Sequence, residues 1–347
     1  MRGAFAALVL TLLPAPAAAD TLVDRVNGLT FTAEGRLDHF TGLLIGNDGR
    51  VAQVLHAGDK RPRADFAVDG RQRTMLPGFI VPALRLMPVA LAAIAPASPG
   101  APLPPPRPED RDLALATIQP QLLSRGVTTV ADAGTTIEDW QTYRRAGDEA
   151  RLSIRIVAYA AGTQAMTLIG GPRPTPWLYD DRLRAVGVLL EAPAGATPAG
   201  DVQLKNWMSR AAMDHFQPLV RADAAATPGV RAAIEELSRT YQGDRRWRVE
   251  AAIATALPEP LAEMAAGLDR TAGLRRYTVD AAQPMFAEGR LGRLAVGTRA
   301  DFVLVDADLE LSSASELRSN RVAETWVNGR KVWVRETAGQ GAAAEGR

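Results

Sequence analysis

Between residues 113 and 250 the chain alternates strand-like and helix-like pieces, and no other feature restricts its fold as much. Residues 113–124 have apolar side chains at helical spacing, and Gly126-Val127-Thr128-Thr129-Val130 reads as a β-branched strand. Residues 137–150 read as a helix, 154–158 and 186–190 as strands, 232–241 as a helix and 247–250 as a strand. β-Branched side chains fit a pleated surface, whereas a period near 3.6 gives a helix one apolar stripe to lay on a sheet. Strands alternating with helices predict parallel β/α units, arranged as a barrel or a doubly wound sheet.

The two ends of the chain differ from this middle. Leu43-Leu44-Ile45 and Val51-Ala52-Gln53-Val54-Leu55 flank Gly46-Asn47-Asp48-Gly49-Arg50, which predicts a hairpin. Near the other end, residues 300–306 read as a strand and 322–334 as a hairpin turning at Asn328-Gly329. Both ends are therefore β-rich. Residues 96–108 are Pro-rich and 192–200 are rich in Ala, Gly and Pro, so both read as loops or linkers. Residues 337–347 are small and polar, and a disordered tail is expected there. No internal repeat is found.

The first residues have the three parts of a secretory signal peptide. Arg2 is the positive start, residues 4–13 are apolar, and Ala17-Ala18-Ala19 offers a cleavage site before Asp20. The apolar run falls short of the roughly 20 residues a membrane-spanning helix needs. Export to a periplasm or to the outside is expected, with no membrane span after cleavage. Removal of residues 1–19 takes one Arg from the 40 basic side chains and leaves the 39 acidic ones untouched. Such a balanced chain has no electrostatic reason to seek nucleic acid or anionic lipid. It has no Cys, which excludes disulfides, thiolate ligands and a Cys nucleophile.

Met75-Leu76-Pro77-Gly78-Phe79-Ile80 resembles the segment leading into the first barrel strand of the amidohydrolases. Residues 292–306, Gly-Arg-Leu-Ala-Val-Gly-Thr-Arg-Ala-Asp-Phe-Val-Leu-Val-Asp, and Thr325-Trp326-Val327-Asn328-Gly329-Arg330 resemble the closing segment of the same superfamily. Residues 126–134 and Leu152-Ser153-Ile154-Arg155-Ile156 are similar to its amidohydrolase 3 branch. The resemblance covers almost the whole chain after residue 19. It implies a (β/α)8 barrel beside a β-sandwich built from both chain ends. It also implies hydrolysis by a metal-activated water, because a bound divalent cation lowers the pKa of water to about 7.

The positions that should hold the metals depart from that pattern. Where the family has Asp-x-His-x-His after the first motif, this chain has Val81-Pro82-Ala83-Leu84-Arg85, with Ala83 and Arg85 in the histidine positions. The family's bridging lysine position holds Leu189, after Gly187-Val188. A later histidine position corresponds to Arg221, and the Arg-x-Glu-His motif appears as Arg248-Val249-Glu250-Ala251. The stretch that carries the family's catalytic aspartate, between residues 268 and 274, reads as deleted. The three histidines, His39, His56 and His215, form no H-x-H or H-E-x-x-H pair. No G-x-S-x-G nucleophile elbow is present either.

These readings predict an α/β protein with a reduced or distorted (β/α)8 TIM-like barrel over residues 76–291. Residues 20–75 and 292–336 would form a small composite β-sandwich. The barrel region has roughly 210 residues, against about 250 for a typical complete barrel. Arg85, Asp132, Glu191, Arg221 and Glu250 are expected at the barrel mouth, either as structural ion pairs or as binders of a carboxylate or phosphate. No cofactor and no catalytic residue is expected. The favoured function is non-catalytic, with a small anionic ligand or an active paralogue as partner. The alternative is a hydrolase of C–N bonds other than peptide bonds with a rearranged site.

Overall fold

The computed structural model describes residues 20–95, 105–193, 198–267, 269–319 and 322–336. The expected signal peptide at 1–19, residues 96–104 of the Pro-rich stretch, residues 194–197 and the expected tail at 337–347 lie outside the described residues. The chain opens with β1 (Thr21–Phe31), β2 (Leu37–Ile45), β3 (Val51–Leu55), β4 (Phe66–Asp69) and β5 (Thr74–Pro77). β1, β2 and β3 form an antiparallel meander, and β4 and β5 both run parallel to β1. The β2–β3 connection is the hairpin expected from the Asn-Asp-Gly turn.

The β/α region follows. It comprises β6 (Phe79–Leu84), α1 (Leu86–Ile94), α2 (Pro108–Leu123), β7 (Val127–Thr135), α3 (Ile137–Asp148), β8 (Arg155–Ala161) and α4 (Gly162–Gly170). It continues with β9 (Leu183–Glu191), α5 (Pro198–Met213), β10 (Gln217–Arg221), α6 (Thr227–Thr240) and β11 (Arg248–Glu250). Strands β6 to β11 pair in sequence order, every pair parallel. Such strands are covered on both faces, which explains why β7 is buried along almost its whole length.

Side-chain parity divides the two faces. Ile80, Ala131, Ala133, Val157, Tyr159, Leu189 and Leu219 face the inside of the curl, whereas Val130, Ile156, Ala158, Val188, Leu190 and Val220 face the helices. Beyond β11, Ala254 makes one parallel bridge to Leu84, with Arg85 N donating to Ala254 O at 2.9 Å. The curled sheet thus brings its last segment back to its first strand. It has six strands among the described residues, so the expected curled β/α sheet is present but an eight-stranded closure is not observed. The reason lies after β11, where α7 (Pro260–Ala266), α8 (Arg270–Arg276) and α9 (Val279–Ala282) follow with no strand between them. Ala281, Ala282 and Met285 pack into the inside of the curl.

The chain then returns to the first sheet through β12 (Phe302–Val305), α10 (Ala314–Ser319), β13 (Val322–Val327) and β14 (Arg330–Val334). β12 pairs with β5, giving one mixed eight-stranded sheet in the order β14-β13-β12-β5-β1-β2-β3, with β4 also on β1. Both chain ends contribute, as expected, but their strands are hydrogen-bonded into one sheet rather than two facing ones. A buried guanidinium fastens this sheet to the curled one. Arg155, at the start of β8 and 0% exposed, donates Nε to Asp301 Oδ2 at 2.6 Å and Nη2 to Asp301 Oδ1 at 2.9 Å. It also donates to Asp181 O at 2.6 Å and to the Asn328 side chain. Burial alone would raise the Asp301 carboxyl, but the charge and hydrogen bonds of Arg155 hold it below the usual carboxylate range. No helix of the described residues is long and apolar enough to cross a membrane.

Candidate functional site

Parallel pairing brings three expected residues into one row at the C-terminal edge of the curled sheet. Arg221 of β10 is in register with Glu191 of β9 on one side and Glu250 of β11 on the other. Arg85 sits between β6 and α1, and its Nη2 donates to Glu191 Oε1 at 3.2 Å. Arg221 Nε donates to the other oxygen, Oε2, at 2.5 Å. Glu191 is therefore one carboxylate shared by two permanent cations. Its side chain is 43% exposed, with Arg85 at 33% and Arg221 at 50%.

The backbone beneath Arg85 is fitted to it. Gly134, at the end of β7, has φ +105°, and a Cβ there would lie 2.5 Å from Arg85 Nη1. A glycine is required twice over, by the positive φ and by the guanidinium resting on it.

Glu250 takes a different partner, accepting from Arg248 Nη2 at 2.8 Å. Arg248 is buried, lies over the Tyr159 ring at 5.5 Å and also donates to Pro82 O at 3.0 Å. The Tyr159 hydroxyl donates to Gln217 Oε1 at 2.5 Å, and Gln217 Nε2 donates to Pro284 O at 2.7 Å. Burial pushes the Tyr159 hydroxyl above its ordinary pKa, against the pull of Arg248. This network occupies the centre of the curl. A Cβ on Gly187 would come within 2.5 Å of both the Tyr159 ring and Gln217 O, so the space is already filled. Sequence reading singled out neither Tyr159 nor Gln217. The alternation Tyr159, Ala161 on β8 carries the parity signal, but not which face it addresses.

Asp132 is not at the mouth, contrary to expectation. It lies 2% exposed on the helix-facing side of β7, where Oδ1 accepts from Leu86 N at 3.0 Å and Oδ2 from Thr135 Oγ1 at 2.7 Å and Tyr143 OH at 2.9 Å. It thus holds the first turn of α1 against α3. Burial pushes its carboxyl up to about 6, against the hydrogen bonds from Thr135, Leu86 and Tyr143.

Beside the Arg85–Glu191 pair is a cleft of about 400 Å³, lined by Arg85, Gly162, Thr163, Leu189, Leu190 and Trp207 among others. Gly162 and Thr163 begin α4, which has no side-chain cap, and Trp207 comes from α5. Sequence reading missed Gly162, Thr163 and Trp207, since they meet the strand ends only through the β8–α4 and β9–α5 connections.

The histidines lie elsewhere. His39 Nε2 is 2.9 Å from Glu310 Oε2 and His56 Nε2 3.2 Å from Asp38 Oδ2, while His215 Nδ1 is 3.1 Å from Arg245 Nη1. Among the described residues no three His, Asp or Glu side chains converge as a set able to hold a metal ion.

Residues 260–333 match the model of the amidohydrolase family. No curated protein matches the chain in sequence. The fold is similar to that of an uncharacterized metal-dependent hydrolase from Pyrococcus horikoshii, at 13% identity and TM-score 0.67, covering 85% of this chain and 99% of that one. It is similar to an adenosine deaminase from Xanthomonas campestris with bound zinc, at 16% identity and TM-score 0.61, covering 92% and 94%. It is similar also to a triazine hydrolase from Arthobacter aurescens, at 14% identity and TM-score 0.61, covering 92% and 96%. Identities this low speak for the fold alone. The chain thus shares its closing segment with the amidohydrolase family model and its fold with solved metal-dependent hydrolases.

Proposed function

We propose that this chain is a non-catalytic member of the family, acting by binding a small ligand or by partnering an intact relative. The observation that carries the reading is Glu191 shared between Arg85 and Arg221 at the sheet mouth. A hydrolytic divalent metal needs lone pairs from imidazole or carboxylate. The positions that resemble the family's ligands hold Ala83, Arg85, Leu189, Arg221 and Ala251. None of these has a lone pair suited to a cation, and two are cations themselves. Glu191 and Glu250 are engaged by arginines, so a metal would have to displace fixed positive charge to reach them. The residues present do not fit the metal centre that the family implies.

A second reading has one observation in its favour, the likeness to solved hydrolases. On that reading the chain cleaves a C–N bond other than a peptide bond with a rearranged site, and the support is by analogy of fold. Thermal melting with added zinc and with chelator separates the two. A ligand at about 100 times its Kd stabilises a fold by about 2.7 kcal/mol. The non-catalytic reading expects the same melting temperature in zinc, in chelator and in neither. A rise of several degrees in zinc, reversed by chelator, would contradict it.

A further inference from the structure

We propose that the mouth cleft binds a small monocarboxylate with an apolar body, an inference that rests on the reading above of a mouth without metal. Charge comes first. Arg85 and Arg221 share the single carboxylate of Glu191, while Glu250 is matched by Arg248, so the cluster keeps one positive charge in excess. Only one nitrogen of each of these two guanidinium groups is bonded to Glu191; Arg85 Nη1 and Nε and both terminal nitrogens of Arg221 have no hydrogen-bond partner among the described residues. An arginine with free, partly exposed donors suits a carboxylate, which it can grip through two parallel hydrogen bonds. One excess charge favours a monoanion over a doubly charged phosphate.

The other walls define the rest of the ligand. Leu189, whose side chain lies beside the Arg85 guanidinium over Gly134, and the half-buried Trp207 give the cleft an apolar lining next to the charge. The Thr163 side chain lines the same space and donates no hydrogen bond among the described residues. At about 400 Å³ the cleft lies at the small end of the roughly 300–1,000 Å³ typical of ligand pockets. Gly134 holds the guanidinium in place from below. The arrangement thus joins a guanidinium with free donors to apolar lining within a space small enough for a short acid.

The test is calorimetric titration of the full chain with hexanoate, hexanamide, acetate and inorganic phosphate, with metal content measured on the same preparation. Hexanoate should bind at one saturable site, and hexanamide and acetate at least about tenfold more weakly, as expected when a charged hydrogen bond or apolar contact is lost. Arg85→Met should weaken hexanoate by a similar factor, Arg85→Lys by less, and Trp207→Ala should affect hexanoate more than acetate. Equal binding of hexanoate and hexanamide overturns the proposal, as does phosphate binding tighter than hexanoate or an unchanged affinity in a folded Arg85→Met. The comparison of hexanoate with its amide uses the unaltered protein and so stands even if a variant does not fold. A metal-free preparation that binds no hexanoate defeats this proposal and leaves the non-catalytic reading intact; a stoichiometric metal defeats the reading beneath it.

Discussion

Asp132 carries the sharpest consequence at the scale of single residues. Its carboxyl is buried against α1 and α3 and pushed up to about 6, well above the ordinary aspartate value. The folded state therefore holds this proton more tightly than the unfolded state does. Its contribution to stability is fully present below the unfolded value near pH 4 and is lost as pH rises through about 6. The difference from the ordinary aspartate value corresponds to about 3 kcal/mol at most. Asp132→Asn, which keeps the shape without the charge, should flatten this pH dependence. Urea unfolding at about pH 4.5 and about pH 7.5 checks it: the unaltered chain should lose more stability between the two than the variant. An identical slope in both would show that the pH dependence arises elsewhere. This residue also marks where sequence reading stopped. Asp132 lies between Ala131 and Ala133, and with two small neighbours nothing in the sequence tells which parity faces the inside. Arg85, Glu191 and Arg221 were picked out by their alignment with or closeness to family motif positions, and the structure places all three at or just past the C-terminal ends of strands.

Among elements, the join between the two sheets explains residues that motif matching alone leaves unexplained. In the closing segment, Asp301 and Asn328 both receive Arg155 from the first residue of β8. The Asn328 backbone N–H also donates to Asp301 Oδ1 at 2.8 Å, so both loops close on one carboxylate. Arg155→Met would leave Asp301 buried without its counter-charge, a loss of about 3–5 kcal/mol. Equilibrium unfolding in urea should show a lowered midpoint, and Arg155→Met paired with Asp301→Asn should recover part of it. A single variant as stable as the parent would remove the join from the account. Most elements were readable from their own residues, including both hairpins and strands β7, β8, β9 and β11. Strand β10, Gln217-Pro218-Leu219-Val220-Arg221, was not read as a strand. It is short, contains a proline and has one β-branched residue, so its place depends on neighbours on both sides rather than on propensity.

At the scale of the whole molecule, a shortened β/α sheet has curled around side chains that fill its centre. Six parallel strands, a bridge at Ala254 and the network of Tyr159, Gln217 and Arg248 leave the chemistry-bearing edge to arginines and their carboxylates. The sequence predicted a shortened barrel from length, but the strand count depends on tertiary pairing after β11, where the described residues between 251 and 301 form short helices and turns instead of another strand. The central claim is that this edge no longer holds a metal. Its most direct test is the metal content of the purified protein by mass spectrometry after dialysis against trace zinc. The account predicts less than about a tenth of an equivalent, since a true zinc site fills under such conditions. One equivalent or more, retained through a second dialysis, would contradict it and return the chain to the hydrolases.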